Sequence, residues 1–289
     1  MMKPYIDPAL AGEWLVAAAS ASVAPGQTFQ ACVLGQAIAV TRDMAGGLRA
    51  QVRHDDASAQ PEEIRVLEQY ATIWIAFETP TRPLFAIDEF DQPGRRIIPC
   101  GAIGVHTSGL RIVENFLDMA HFPYVHTDWL GKEPHSAVAE YKVEWRQATD
   151  ELWATDCRFW QPRAAPSADG GLDIVYTYRV MQPFTTMLYK SCPTRPGDVD
   201  FILLQVQPQD EEHSLVYSLL GYFDDVSSNA EMISFMQLIF AQDKPILESQ
   251  VPRRLPLDPR TEVPARADAM SIAYRRWLRD KRLRFGVHA

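Results

Sequence analysis

The sequence predicts an α+β protein in two parts, divided near residue 100. Three observations predict this. Short apolar runs separated by turn residues fill the first hundred positions, and further β-rich runs crowd the interval 141–220. Helical periodicity is confined to the centre of residues 107–124 and to two late segments that begin near Ser228 and Asp268. Strands and helices that segregate along the chain argue for antiparallel sheets covered by helices. The 289 residues allow one large domain or two smaller ones, and 47% hydrophobic with 22% charged residues is an ordinary globular balance.

In chain order, residues 29–41 are apolar and partly alternating, with an interruption at Gly35. Residues 43–47 supply a turn, and 48–52 return as a hairpin strand. The polar stretch 54–63 reads as a loop, and residues 70–77 as a second strand ending at Thr79-Pro80. Ile112, Val113, Phe116, Leu117 and Ala120 then make an apolar helical face. Residues 175–181, 187–191, 201–207 and 214–220 read as strands of a twisted antiparallel sheet. Ser228-Asn-Ala-Glu231 has the form of a capping box, and the helix it opens runs through Phe235, Met236, Ile239 and Phe240 to Asp243. Pro245 removes one backbone donor, so a kink is expected there. A last helix, about 268–281, carries Met270, Tyr274, Trp277 and Leu278 on one face.

Composition excludes several functions. A net charge of −9 disfavours nucleic acid, whose phosphates need a surplus of Lys and Arg. No run of about 18 apolar residues offers a membrane span, and the N-terminus lacks a secretory core, so a cytoplasmic location is expected by default. Cys32, Cys100, Cys157 and Cys192 have no C-x-x-C or C-x-H spacing and read as isolated thiols in a reducing compartment. His54-Asp55-Asp56 has an H-x-D form but lies in a polar loop and reads as solvated surface; His106 and His135 read as core or surface residues.

The most informative stretch is 114–126, which has the pattern N-x-x-D-x-x-H-x-x-x-x-H at Asn115, Asp118, His121 and His126. Two imidazoles and a carboxylate within thirteen residues point to a metal, with structural polar residues on a helix as the alternative. Two histidines and one carboxylate leave about three positions open on a ferrous ion, which suits O₂ chemistry. Asp118 precedes His121 by three residues and would share a helix face with it, which makes it a partner for the second ring nitrogen rather than a ligand. His121 and His126 are five apart, about 140° on an ideal helix, and Pro123 between them can break that geometry.

This motif resembles the mononuclear-iron domain of Rieske-type oxygenases. The resemblance implies a helix-grip-like catalytic domain over residues 101–289, preceded by a truncated Rieske-like β domain over 1–100. It implies a third ligand from a late helix. Asp243 is the best match there and Glu248 the fallback, with Met236 and Phe240 at i−7 and i−3 walling a substrate space. Phe184 and Leu204 are further expected pocket residues. Asn115 would sit nearby without ligating, and Asp118 would relay electrons.

The flanks of a Rieske domain also persist, in Trp14-Leu-Val and in residues 70–78. Between them, at 49–66, where the cluster ligands belong, there is no cysteine, and His54 is the only histidine. No 2Fe–2S cluster is therefore expected in this chain, and electrons from NAD(P)H would arrive through a separate Rieske-containing reductase. Residues 240–250 and 271–279 resemble the tails of bacterial methylxanthine N-demethylases. That resemblance implies oxidative removal of an N-methyl group, with 7-methylxanthine as the expected substrate and xanthine and formaldehyde as products. It also implies a glutathione-transferase-like partner and a trimer-based hetero-oligomer. The rivals are an oxygenase that hydroxylates or O-demethylates another aromatic and a non-catalytic scaffold subunit.

Overall fold

The computed structural model describes residues 6–54, 61–162, 171–192 and 195–288. Asp55 and Asp56 of the H-x-D triplet lie outside that range. Six strands form the first sheet: β1 (Leu15–Ala19), β2 (Thr28–Val33), β3 (Gln36–Arg42), β4 (Leu48–Val52), β5 (Glu62–Gln69) and β6 (Thr72–Ala76). Their order is β1-β6-β5-β4-β3-β2, antiparallel throughout. The ends of this sheet curl together, with β1 lying against β2 without a ladder between them.

The interruption at Gly35 is a two-residue hairpin turn, with Leu34 at φ 53° and Gly35 at φ 74°. Tyr70 and Ala71 (both φ 56°) make a second such turn, so the strand expected from residue 70 starts at Thr72. The polar stretch ending at Glu63 already belongs in part to β5. That strand alternates charged and apolar residues with one side in water, so its polarity resembles a loop.

The second sheet has seven strands: β7 (Arg96–Val105), β8 (Lys142–Arg146), β9 (Glu151–Gln161), β10 (Leu172–Gln182), β11 (Thr185–Ser191), β12 (Val199–Pro208) and β13 (Ser214–Tyr222). Their order is β7-β13-β12-β11-β10-β9-β8, again antiparallel. β7 spans residue 100 and belongs wholly to this sheet, so the chain passes between the sheets over 77–95.

The two faces of this sheet do different jobs. Met187, Phe201, Leu203 and Leu219 pack with Val16 and Trp74 of the first sheet. Gln207 Nε2 donates to the Ala17 carbonyl at 2.7 Å, and Thr72 Oγ1 to Gln205 Oε1 at 3.0 Å. The alternate residues of the same strands turn toward the helices. Burial on both faces explains why β11 and β12 read as nearly unbroken apolar runs.

Four α-helices cover that second face: α1 (Gly109–Leu117), α2 (Phe122–Val125), α3 (Asn229–Ser249) and α4 (Ala269–Asp280). A two-stranded parallel pair, β14 (Leu255–Pro256) with β15 (Val287–His288), fastens the C-terminal segment. Ser228 and Glu231 form the expected capping box at the start of α3, worth about 1 kcal/mol. The helix continues through Pro245 to Ser249. All four cysteines are free, three of them buried. No helix among the described residues is long and apolar enough to cross a membrane.

Candidate metal centre and the adjoining cavity

α1 ends at Leu117, and Asp118, its extended C-cap residue, begins an irregular turn. The single helical turn of α2 follows, with Pro123 near its start. His121 stands at the N-cap of that turn and His126 at its C-cap. One short turn with a ring at each end brings the imidazoles together, at 5.0 Å between centroids. Pro123 lies in the first turn of α2 and does not break it; the irregular backbone lies at the two ends, at Asp118 and His126. Asp118 does contact His121, at 3.1 Å between Oδ2 and Nδ1. The contact arises across the turn after α1 rather than along a helix face.

Asp243 reaches the same point from α3. Its Oδ1 lies 3.3 Å from His121 Nε2 and 3.1 Å from His126 Nε2, and the two Nε2 atoms are 3.1 Å apart. Protonation can be read from the outer partners. His121 Nδ1 faces a carboxylate that only accepts, and His126 Nδ1 faces Gln242 Oε1 at 2.8 Å. Both Nδ1 atoms therefore carry ring protons, and both Nε2 atoms turn toward Asp243. When neither Nε2 holds a proton, three acceptors converge in a buried site, and a cation there offsets the carboxylate, whose uncompensated burial costs several kcal/mol.

The spacing matches donors that share one metal ion. With donors about 2.1 Å from a metal, edges of an octahedral face are about 3.0 Å long and tetrahedral edges about 3.4 Å. The observed triangle, 3.1, 3.1 and 3.3 Å, lies nearer the octahedral face on two of its edges. In the protein alone the same demand appears as proton affinity. Burial pulls His121 down, but the Asp118 and Asp243 carboxylates outweigh it and raise its pKa to about 9. Burial pushes Asp243 up, but the two imidazoles hold it down at about 2. Among the described residues these three are the one cluster of His, Cys, Asp and Glu spaced to hold a metal.

A mostly apolar cavity opens beside the triad. From α3 it takes Met232, Phe235, Met236, Ile239, Phe240 and Asp243, an i, i+3, i+4, i+7, i+8, i+11 stripe. From α1 it takes Ile112, Asn115 and Phe116. The sheet supplies the floor, with Leu204 beside two transverse rows. Tyr178, Leu188, Ile202 and Leu220 follow one another by register across β10, β11, β12 and β13, and Tyr176 and Lys190 pair in the next row.

Met236, Phe240 and Leu204 stand in the cavity wall. Phe184 is a correction: it does not line the cavity. Its ring is buried against the backbone of Gly109, beside Val206 and Phe285, because the turn between β10 and β11 lies under the start of α1. Glu248 faces Lys244 and the His106 amide, away from the triad. His106 stacks on His213, His135 lies tilted against Trp160, and His54 is half-buried.

Asn115 borders two spaces, the cavity and an outer groove. Asp118 opens on that groove with its side chain 27% exposed. Arg275, Arg276 and Arg279 line it together with the exposed Val251 and Val263.

Sequence reasoning missed Gln242, Tyr176, Tyr178 and Lys190. The Tyr-x-Tyr alternation in β10 and a lysine inside an apolar strand were the available signals; Gln242 had none. It also missed Gly131. A Cβ there would come within 2.6 Å of Pro123 N, so the return of residues 126–131 onto α2 needs glycine.

Comparison with known proteins gives this geometry a context. Residues 105–284 match the family described as vanillate O-demethylase oxygenase C-terminal domain. The chain is 41% identical over 275 residues to a probable methylxanthine N7-demethylase, NdmC, of Pseudomonas sp. (strain TJI-51), spanning 95% of both chains. It is 28% identical to methylxanthine N1-demethylase NdmA of Pseudomonas putida, over 74% of this chain and 59% of that one. The structure of Pseudomonas putida CBB5 NdmA with caffeine superposes with a TM-score of 0.75 at 19% identity, covering 95% of this chain and 92% of the other.

Proposed function

We propose that this chain, which belongs to the vanillate O-demethylase oxygenase family, is the catalytic subunit of an oxidative N-demethylase acting on a methylxanthine. The observation that carries the proposal is the converging triad of His121, His126 and Asp243 beside a mostly apolar cavity. His121, His126 and Asp243 would hold a ferrous ion, which supplies O₂ activation when bound. Asp118 and Gln242 keep the two Nε2 lone pairs directed at it by accepting the opposite ring protons.

The cavity wall takes a planar ring. Met236 and Phe240 on α3 and Leu204 on the floor cover its faces and exclude water from the methyl group. The overall change consumes one O₂, two electrons and two protons and releases one water. The N-methyl carbon becomes a hydroxymethyl group, whose C–N bond then breaks to leave formaldehyde and the free ring nitrogen. The likeness to a probable N7-demethylase supports removal of the N7-methyl group, with 7-methylxanthine as substrate and xanthine as product.

The two electrons come from outside this chain, since residues 49–66 contain no cysteine and one histidine. The groove beside Asp118 supports docking of a Rieske-containing reductase there, with Asp118 and its bond to His121 as the contact between donor and metal site. The test is turnover of 7-methylxanthine with NADH and such a reductase. One formaldehyde and one xanthine per substrate consumed are expected; a ring-hydroxylated product without formaldehyde would overturn the proposal.

A further inference from the structure

The mechanism above uses the apolar walls of the cavity and leaves its polar floor unexplained. Tyr178 is central to that floor. It is 1% exposed, lines the cavity, and has no hydrogen-bond partner for its hydroxyl among the described residues. Buried hydroxyls are nearly always paired, because an unmet donor forfeits its water bonds for nothing. Its ring is held edge-on by Phe116 at 6.1 Å and lies 6.1 Å from Tyr176. Packing thus holds the ring in place, with no bond from its hydroxyl.

The neighbouring row is polar as well. Tyr176 pairs by register with Lys190, and Lys190 with Asp200. Lys190 is buried, with its ammonium 4.6 Å from the centre of the Tyr222 ring, and its charge is answered by the Asp200 and Asp224 carboxylates. The floor thus grades from leucine and isoleucine to a polar, electrically balanced row. A ring carrying a carbonyl oxygen offers the Tyr178 hydroxyl an acceptor that a hydrocarbon ring lacks.

We infer that Tyr178 is a specificity-determining residue whose hydroxyl donates to a carbonyl oxygen of the bound heterocycle. This deepens the proposed N-demethylase reading and rests on it for the choice of probe. The substrate class is a planar N-methyl heterocycle with ring carbonyls, and the discrimination is against the same ring without them.

The test is equilibrium binding to the full chain, anaerobically and without reductase, so that no turnover intervenes. The two probes are 7-methylxanthine and 7-methylpurine, which keeps the N-methyl group and lacks both ring oxygens. Wild type is expected to prefer 7-methylxanthine. Tyr178→Phe should weaken 7-methylxanthine about tenfold and leave 7-methylpurine nearly unchanged, the effect of one lost buried hydrogen bond. The variant should melt at or above the wild-type temperature, since it removes a polar group with nothing to bond. Equal affinity of the two probes for wild type, or an equal change for both in Tyr178→Phe, overturns the inference alone. A lower melting temperature with no change in selectivity also overturns it, by assigning the hydroxyl a structural role. Failure of wild type to bind either probe removes the methylxanthine reading and this inference with it.

Discussion

At the scale of single residues, the site is organised by where ring protons are committed. Asp118 and Gln242 each accept an Nδ1 proton, and Asp243 faces what remains. Asp118 was legible in the sequence because it shares a short motif with His121. Gln242 was not, because its partner His126 is 116 positions away and glutamine on a helix usually faces water. Gln242→Leu frees the His126 tautomer and should weaken ferrous binding about 10- to 100-fold in an anaerobic titration, with the fold retained. Unchanged affinity would show that the amide does not set the ring.

At the scale of elements, the helices were more legible than the strands around them. The capping box at Ser228 and the apolar stripe of α3 announced that helix, and the stripe placed Met236, Phe240 and Asp243 on one side. Helical periodicity survives because each residue keeps its face along the whole element. The strands of the second sheet hid their faces, since both sides are buried: Leu203 packs on the first sheet and Leu204 on the cavity. One residue of offset separates the two roles, and hydrophobicity alone does not say which is which. Phe184 shows the consequence, as an apolar residue near the right strands that ends up under α1. The turns at Leu34 and at Tyr70–Ala71 escaped for another reason: non-glycine residues there adopt positive φ, which composition does not advertise.

At the scale of the molecule, the small sheet braces the back of the large one, and charged side chains tie distant parts of the chain together. Glu13 receives Arg82 and Lys281, both at 3.2 Å, and Lys281 also reaches Asp150, which accepts from Trp277 Nε1 at 2.7 Å. Glu262 joins Arg111 and Arg275 on the helical side. Burial pushes the Asp150 carboxyl up, but Lys281, Trp277 and Trp145 outweigh it and hold it below the ordinary range. Glu262 is likewise raised by burial and lowered further by Arg111 and Arg275. A carboxylate whose pKa is depressed on folding contributes stability above its unfolded value, about 4, and loses it as pH falls through the folded value. Denaturation midpoints should therefore hold from neutrality to about pH 5 and fall below about pH 4, and Asp150→Asn should lower the neutral midpoint while flattening that acid slope. Identical acid slopes in variant and wild type would remove Asp150 from the account.

At the same scale, a six-stranded sheet precedes the seven-stranded one, and Asp118 opens on an arginine-lined groove. Under the proposed function, that groove is where a separate electron donor would meet the metal site. Everything in that account depends on iron being held by His121, His126 and Asp243. The direct test is iron per chain after anaerobic reconstitution with ferrous ion, in wild type and in His121→Ala. The account predicts close to one iron per chain in wild type and almost none in the variant; equal iron in both would contradict it.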